Sequence, residues 1–304
     1  MKIIEFNERG QQVEHEAKSL GSSGSALAPA PARLQKPKLS ASAGVELHVF
    51  QTGTITTDKH NIKMNRGSES WEIPVPWYLL KHPMGNVVID GGIAREAAID
   101  KKGYWGEVSK TYKPKLDVKE TCVEQCKSIG VEPNDVRYVV QSHLHLDHTG
   151  AIGRFPKAQH IVQRKEYDYA IAPQWFAAGA YVRADIDRPG LNWKFLGGEN
   201  TDMFDLFGDD VLKMISTPGH SPGHQSFLIN LPKTGPILLA IDAAYTMDHY
   251  ENNVLPGFMT SAQQVVDSVG KLRRIAERTN ARVIAGHDQK QFADLKHSPK
   301  GFYV

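Results

Sequence analysis

Residues 136–150 read Val-Arg-Tyr-Val-Val-Gln-Ser-His-Leu-His-Leu-Asp-His-Thr-Gly, an apolar run that breaks into three histidines and an aspartate within six positions, 143–148. The composition of Val136–Gln141 is that of a buried strand. Side chains alternate along a strand, so His143 and His145 at its end point the same way and can share one cation. Asp147 and His148, past the turn, then reach a second. Two metal ions a few Å apart suggest hydrolysis. Packing requirements alone rarely produce so many ligand-type residues at this spacing.

Downstream fragments supply the remaining ligands. Thr217-Pro-Gly-His-Ser-Pro-Gly-His224 follows a β-like run, Asp242 ends the apolar run Ile237–Ile241 with Tyr245 three residues on, and His287 follows Arg282–Ala285. Each fragment sits at the C-terminal end of a strand-like segment, so all can converge on one rim. His143, His145 and His220 form one expected ligand set, and Asp147, His148 and His287 a second. Asp242 is the natural bridge, because its two oxygens can serve separate cations and its charge reduces their repulsion. Nitrogen and carboxylate donors without thiolate suit zinc best, with iron, cobalt or manganese also compatible. His224, the second histidine of its motif, is assigned to supporting the ligands from behind or to packing.

Composition narrows the rest. A chain of 304 residues, 40% apolar and 23% charged, with net charge +2, has no excess of positive charge for a polyanion. Lysines and arginines are interspersed with acids, so no nucleic-acid partner is expected. No apolar run approaches the ~20 residues of a membrane span, and the charged first twenty residues lack the apolar core of a secretory signal. A cytoplasmic protein is expected. The two cysteines, Cys122 and Cys126, are four apart on an expected helix and read as small hydrophobes of one buried face.

Residues 1–44 read as an appendage and linker, because 21–44 is rich in Gly, Ser, Ala and Pro. From Val45 to residue 304 the pattern is that of one catalytic domain. Strand-like runs occupy Glu46–Phe50, Trp77–Leu80, Val87–Asp90, Arg137–Gln141, His160–Gln163, Val211–Ile215, Ser226–Leu231, Ile237–Ile241 and Arg282–Ala285. Helices are expected at Asp117–Ile129, opening on a capping box and stopping at Gly130, and at Ser261–Arg278, with Val265, Val269, Leu272, Ile275 and Ala276 on one stripe. Two strand clusters with helices predict an α/β (α+β) fold, an αββα sandwich of two packed mixed sheets with helices outside. The irregular, aromatic segment 164–205 reads as a lid, a subunit contact or a satellite core.

At His143, His145, Asp147, His148, His220, Asp242 and His287 the chain resembles the metallo-β-lactamase superfamily over roughly 45–304. Tyr245, the run 217–226, Pro-Trp-Tyr-Leu-Leu (76–80) and Ile89-Asp-Gly-Gly are similar to the N-acyl-homoserine lactonases. The resemblance implies a dinuclear hydrolase that opens the lactone ring of N-acyl-homoserine lactones, with Tyr245 contacting substrate and Asp147 passing a proton to the leaving oxygen. The alternative is another hydrolase of the same fold, such as a glyoxalase-II-like thioesterase or a broad lactonase or esterase. An acyl chain requires an apolar groove, for which Ile62, Met64, Leu146, Trp175 and Phe176 are candidates. A homodimer is expected.

Overall fold

The computed structural model describes residues 2–6, 12–16, 44–197 and 202–304, in two units, Met1–Lys38 and Leu39–Val304. In the first unit β1 (Lys2–Phe6) pairs antiparallel with β2 (Gln12–Glu16). The linker expected at 21–44 lies, apart from Gly44, outside the described residues.

The second unit is built on two sheets. One contains β3 (Glu46–Asp58), β4 (Ser70–Lys81), β5 (Asn86–Ile89), β6 (Lys113–Lys115), β7 (Val136–Val140), β8 (Gln159–Gln163) and β9 (Trp193–Leu196), in the spatial order β6-β3-β4-β5-β7-β8-β9. The other runs β10 (Met203–Asp205), β11 (Leu212–Ser216), β12 (Gln225–Leu231), β13 (Gly235–Ile241), β14 (Arg282–Ala285) in sequence order. Both are mixed: β5, β7, β8 and β9 are parallel neighbours, as are β13 and β14, and the remaining pairs are antiparallel.

The period-two alternation of the strands decides the layering. Tyr78 and Leu80 of β4 meet Phe227 and Ile229 of β12 and Leu239 and Ile241 of β13 in the core between the sheets. Their neighbours in sequence face outward. Trp77 and Leu79 pack with Cys122 and Cys126 of the helix Cys122–Ser128, and Leu228, Leu238 and Ala240 pack with Val265, Val269, Leu272 and Ala276 of the helix Ala262–Thr279. This is the expected αββα sandwich, and both cysteines are buried as small hydrophobes.

Three departures have physical causes. The capping box at Asp117 forms, with Asp117 N–H donating to Glu120 (2.6 Å), but it closes only a short 3₁₀ turn, Val118–Glu120. Thr121 is extended there (ψ 154°), so the helix restarts at Cys122 and turns its cysteines onto the sheet. β3 and β4 are far longer than their apolar cores, because each continues past the sandwich as a paired ribbon to Asp58 and Ser70. Segment 164–205 carries regular elements, among them the helix Arg164–Ile171, β9 and β10. Its Ala170, Ala177, Tyr181 and Ile186 form a satellite core behind Leu144.

On β8, His160 is buried and its Nε2 accepts the Gly153 N–H at 3.0 Å, which requires a neutral ring. Burial pushes its pKa down to about 4 from an ordinary 6.5. The unfolded chain therefore takes up this proton first, so the stability contribution is complete above about pH 6.5 and is lost as pH falls toward about 4. In urea titrations, His160→Gln is expected to flatten the decline in unfolding free energy across that window, by on the order of 3 kcal/mol at its lower end. Identical pH slopes for variant and parent would refute the assignment.

Candidate metal centre

The expected ligands leave the strands at one rim. His143 follows β7, His220 lies on the turn between β11 and β12, and Asp242 and His287 follow the parallel pair β13 and β14. Ile241 holds φ at +50°, a left-handed backbone that costs a β-branched residue about 1–3 kcal/mol and that turns Asp242 into the site. Gly219 allows the His220 turn to lie on the long helix: a Cβ there would come within 2.4 Å of Val265 N. The Gly219 carbonyl accepts from Thr260 and Ser261 N–H, each at 2.9 Å.

Three ring nitrogens meet at the first cluster. His220 Nε2 is 3.1 Å from His143 Nε2 and 2.8 Å from His145 Nδ1. Asp242 Oδ2 lies 3.3 Å from His220 Nε2 and 3.7 Å from His143 Nε2. Its other oxygen, Oδ1, lies 3.2 Å from His287 Nε2 and 3.6 Å from His148 Nε2. Asp147 closes the second cluster, with Oδ1 3.7 Å from His148 Nε2 and Oδ2 3.7 Å from His287 Nε2. All seven expected side chains are thus brought together, in the overlapping groups His143/His145/His220, His143/His148/Asp242 and Asp147/His148/His287.

This donor set fits a divalent cation. Imidazole nitrogens 2.8–3.1 Å apart cannot each direct an N–H at the others, so lone pairs face one another, and a shared cation resolves that conflict. His148 Nε2 and Asp242 Oδ1 are buried with no hydrogen-bond partner among the described residues, where unmet polar atoms are costly. The outward nitrogens are meanwhile engaged. His148 Nδ1 donates to Asp90 Oδ2 (2.9 Å), and His287 Nδ1 donates to the Pro74 carbonyl (2.9 Å). His220 Nδ1 donates to the Phe258 carbonyl at 3.3 Å, and His143 Nδ1 meets Ser142 Oγ at 2.9 Å. Such contacts set ring orientation and leave the inner nitrogen free for an ion.

Electrostatics divide the rings. Burial, reinforced by neighbouring histidines, drives His143 and His145 well below the ordinary imidazole range. Burial acts the same way on His148 and His287, but Asp147 and Asp242 outweigh it and raise both. Burial opposes ionisation of Asp242 as well, yet His287, His148 and His220 hold it well below the carboxylate range. His224 is absent from the three ligand groups and supports one of their members from behind: its Nε2 accepts the Asp242 N–H at 3.1 Å, and burial lowers its pKa to about 3.

Beside the cluster opens a cavity of about 180 Å³ with mostly apolar walls, including Ile55, Ile62, Ile73, Val108, Leu146 and Phe176. Asp147, Asp242, His287 and Tyr245 line its floor, and the Tyr245 hydroxyl is 3.3 Å from His220 Nδ1. Of the five groove candidates, Ile62, Leu146 and Phe176 line this cavity, whereas Met64 and Trp175 do not. Met64 N–H donates to the Leu255 carbonyl, and its side chain lines a separate surface depression with His60 and Gly257. Trp175 projects into solvent at 89% exposure.

Sequence reasoning missed several contributors. Phe258 lines the cavity from a loop without a motif, and Gly257 lets that loop approach, since a Cβ would come within 2.0 Å of the His60 carbonyl. Tyr112 lines the cavity from the turn before β6. Asp90, at φ +65°, accepts from Ser142 N–H (2.7 Å), Ser142 Oγ (2.9 Å) and His148. It lies in the run Ile89-Asp-Gly-Gly that carries part of the lactonase resemblance, but nothing local in that run marks its contact with His148.

Comparison with known proteins agrees with this geometry. The model of the metallo-beta-lactamase superfamily matches residues 71–287. The N-acyl homoserine lactonase AttM of Agrobacterium fabrum is 55% identical over 261 residues, covering 86% of this chain and 99% of the relative. AiiA of Bacillus thuringiensis subsp. kurstaki, also an N-acyl homoserine lactonase, is 32% identical over 231 residues, 75% of this chain and 86% of its own. Among solved structures, an N-acyl homoserine lactone hydrolase with the product N-hexanoyl-L-homoserine at its catalytic metal centre superposes with a TM-score of 0.76 at 29% identity, covering 85% of this chain and 98% of that one. The chain therefore belongs to the metallo-beta-lactamase superfamily and, within it, to the N-acyl homoserine lactonase family.

Proposed function

We propose that this protein hydrolyses the lactone ring of N-acyl-homoserine lactones to N-acyl-homoserines, through a catalytic domain spanning residues 45–304 and two divalent ions. The observation that carries the reading is the split of the Asp242 carboxylate, one oxygen toward each histidine cluster, at the floor of an apolar cavity. The activity named for the relatives supports the substrate class. His143, His145 and His220 would hold one ion, and Asp147, His148 and His287 the other, with Asp242 shared between them. Ligands of nitrogen and carboxylate type favour zinc.

Divalent ions held there would acidify water toward neutral pH and draw electron density from the ester carbonyl. The protein residues supply the remainder. Burial and the Asp242 charge raise the Tyr245 phenol well above its ordinary pKa, so it stays protonated and can donate to the oxygen that gains charge when the carbonyl is attacked. One such donor is worth roughly 3 kcal/mol. Water contributes a hydroxyl to the acyl carbon as the ring C–O bond breaks, and its proton goes to the departing ring oxygen. Asp147, at the cavity floor near both His148 and His287, is the residue to carry that proton. The apolar walls at Ile62, Leu146 and Phe176 exclude water from the acyl chain.

The same fold hosts thioesterases, and the choice rests on Tyr245 together with the apolar cavity. Purified metal-loaded protein is expected to release acid from homoserine lactones of several chain lengths in a pH-stat. Faster turnover of an acyl thioester would overturn the lactone assignment. Asp242→Asn should lower bound zinc from about two toward about one per chain by elemental analysis, and unchanged stoichiometry would remove Asp242 from the bridge. Tyr245→Phe should cut kcat/KM by about 100-fold while bound metal stays constant. Full activity in that variant would reduce the tyrosine to a cavity wall.

A further inference from the structure

Glu166 has no part in the chemistry above, yet it is fully buried, 0% exposed, on the helix Arg164–Ile171. A carboxylate removed from water is tolerated only where donors replace the lost hydration. Here four do. Oε1 accepts from Leu144 N–H (3.0 Å) and Tyr181 O–H (3.3 Å), and Oε2 from Ser221 O–H (2.6 Å) and Gly223 N–H (3.0 Å). Each oxygen receives a backbone N–H, which cannot rotate away or become an acceptor, so the donors favour the carboxylate against the burial that raises its pKa.

The donors belong to segments far apart in sequence. Leu144 lies between His143 and His145, Ser221 follows His220, and Tyr181 stacks edge-on against His145 with ring centroids 4.8 Å apart. The close approach is built into the backbone: a Cβ on Gly223 would come within 2.3 Å of Glu166 N. Glu166 thereby ties the backbone of the 143–145 turn to that of the 220–223 turn through one side chain.

We propose that Glu166 is a positioning residue that clamps the two turns carrying His143, His145 and His220, and so sets the geometry and retention of the ion they share. The inference rests on the reading of these histidines as metal ligands, and it goes beyond it by assigning their spacing to a group that touches neither ion nor substrate. Removing the charge while keeping the shape leaves at least one backbone N–H facing an amide N–H₂, which pushes the turns apart. A helix that merely needed a buried polar residue would lose stability without altering the ion.

The test uses the full-length protein loaded with Co²⁺, whose visible d–d absorption reports ligand geometry independently of turnover. In Glu166→Gln the d–d bands are expected to shift, and cobalt loss to excess EDTA to accelerate about tenfold, with kcat falling more than KM changes. Glu166→Asp, which keeps the charge and reaches fewer donors, should lie between variant and parent. If Glu166→Gln does not fold, Ser221→Ala removes a single donor and should still speed cobalt loss by about threefold, with Tyr181→Phe, which deletes the longest of the four bonds, affecting it less. Spectra and EDTA rates identical to the parent, with only a lowered melting temperature, would overturn the positioning role and leave the metal reading intact. Parent protein that takes up no Co²⁺ would overturn both.

Discussion

The carboxylate of Asp242 is the constraint from which the rest of the site follows. It is 2% exposed, its two oxygens face different histidine pairs, and His287, His148 and His220 hold it ionised against burial. Its backbone N–H is held by His224 and its entry is set by the left-handed Ile241. An arrangement with this much strain, burial and like-type crowding is unfavourable for packing alone. Divalent charge held there would remove the conflict, which would couple metal affinity to local structure.

The sandwich provides the rigidity this demands. His143, Asp242 and His287 leave parallel-oriented strand ends whose bodies interlock between the sheets through Val140, Ile241 and Ile284. Core packing restrains those ends because interiors are close-packed. The loops then add only direction. Asp90 orients His148, the Pro74 carbonyl orients His287, and Glu166 spans the turns at His143–His145 and His220.

These supports form a shell of buried acids. Asp185 adds a further one, accepting from Tyr104 O–H (2.6 Å) and Thr149 O–H (2.8 Å), the latter next to His148. Each carboxylate sacrifices hydration and recovers it only when every donor is in place, so the shell favours one arrangement of the loops over near neighbours. Segment 164–205 contributes both Glu166 and Asp185, together with Tyr181 over His145 and Phe176 at the cavity wall. It backs the metal site more than it covers it.

The candidate metal ligands were legible in the chain because His143, His145, Asp147 and His148 are local in sequence, and because His220, Asp242 and His287 each follow a recognisable apolar strand. Alternation in β4, β12 and β13 likewise determined which residues face the inner core and which the helices. Capping chemistry at Asp117 was readable, but the length of the helix behind it was not, since Thr121 takes an extended backbone to seat Cys122 on the sheet. What only the tertiary structure decided is which side chains from unrelated segments share one place: Glu166 beneath two turns, Phe258 and Tyr112 in the cavity, and Met64 and Trp175 outside it. Periodicity and spacing encode the face of an element on which a residue lies. The partner across that face is set by how whole layers pack, and a lone glutamate or phenylalanine carries no local mark of the loop it will meet.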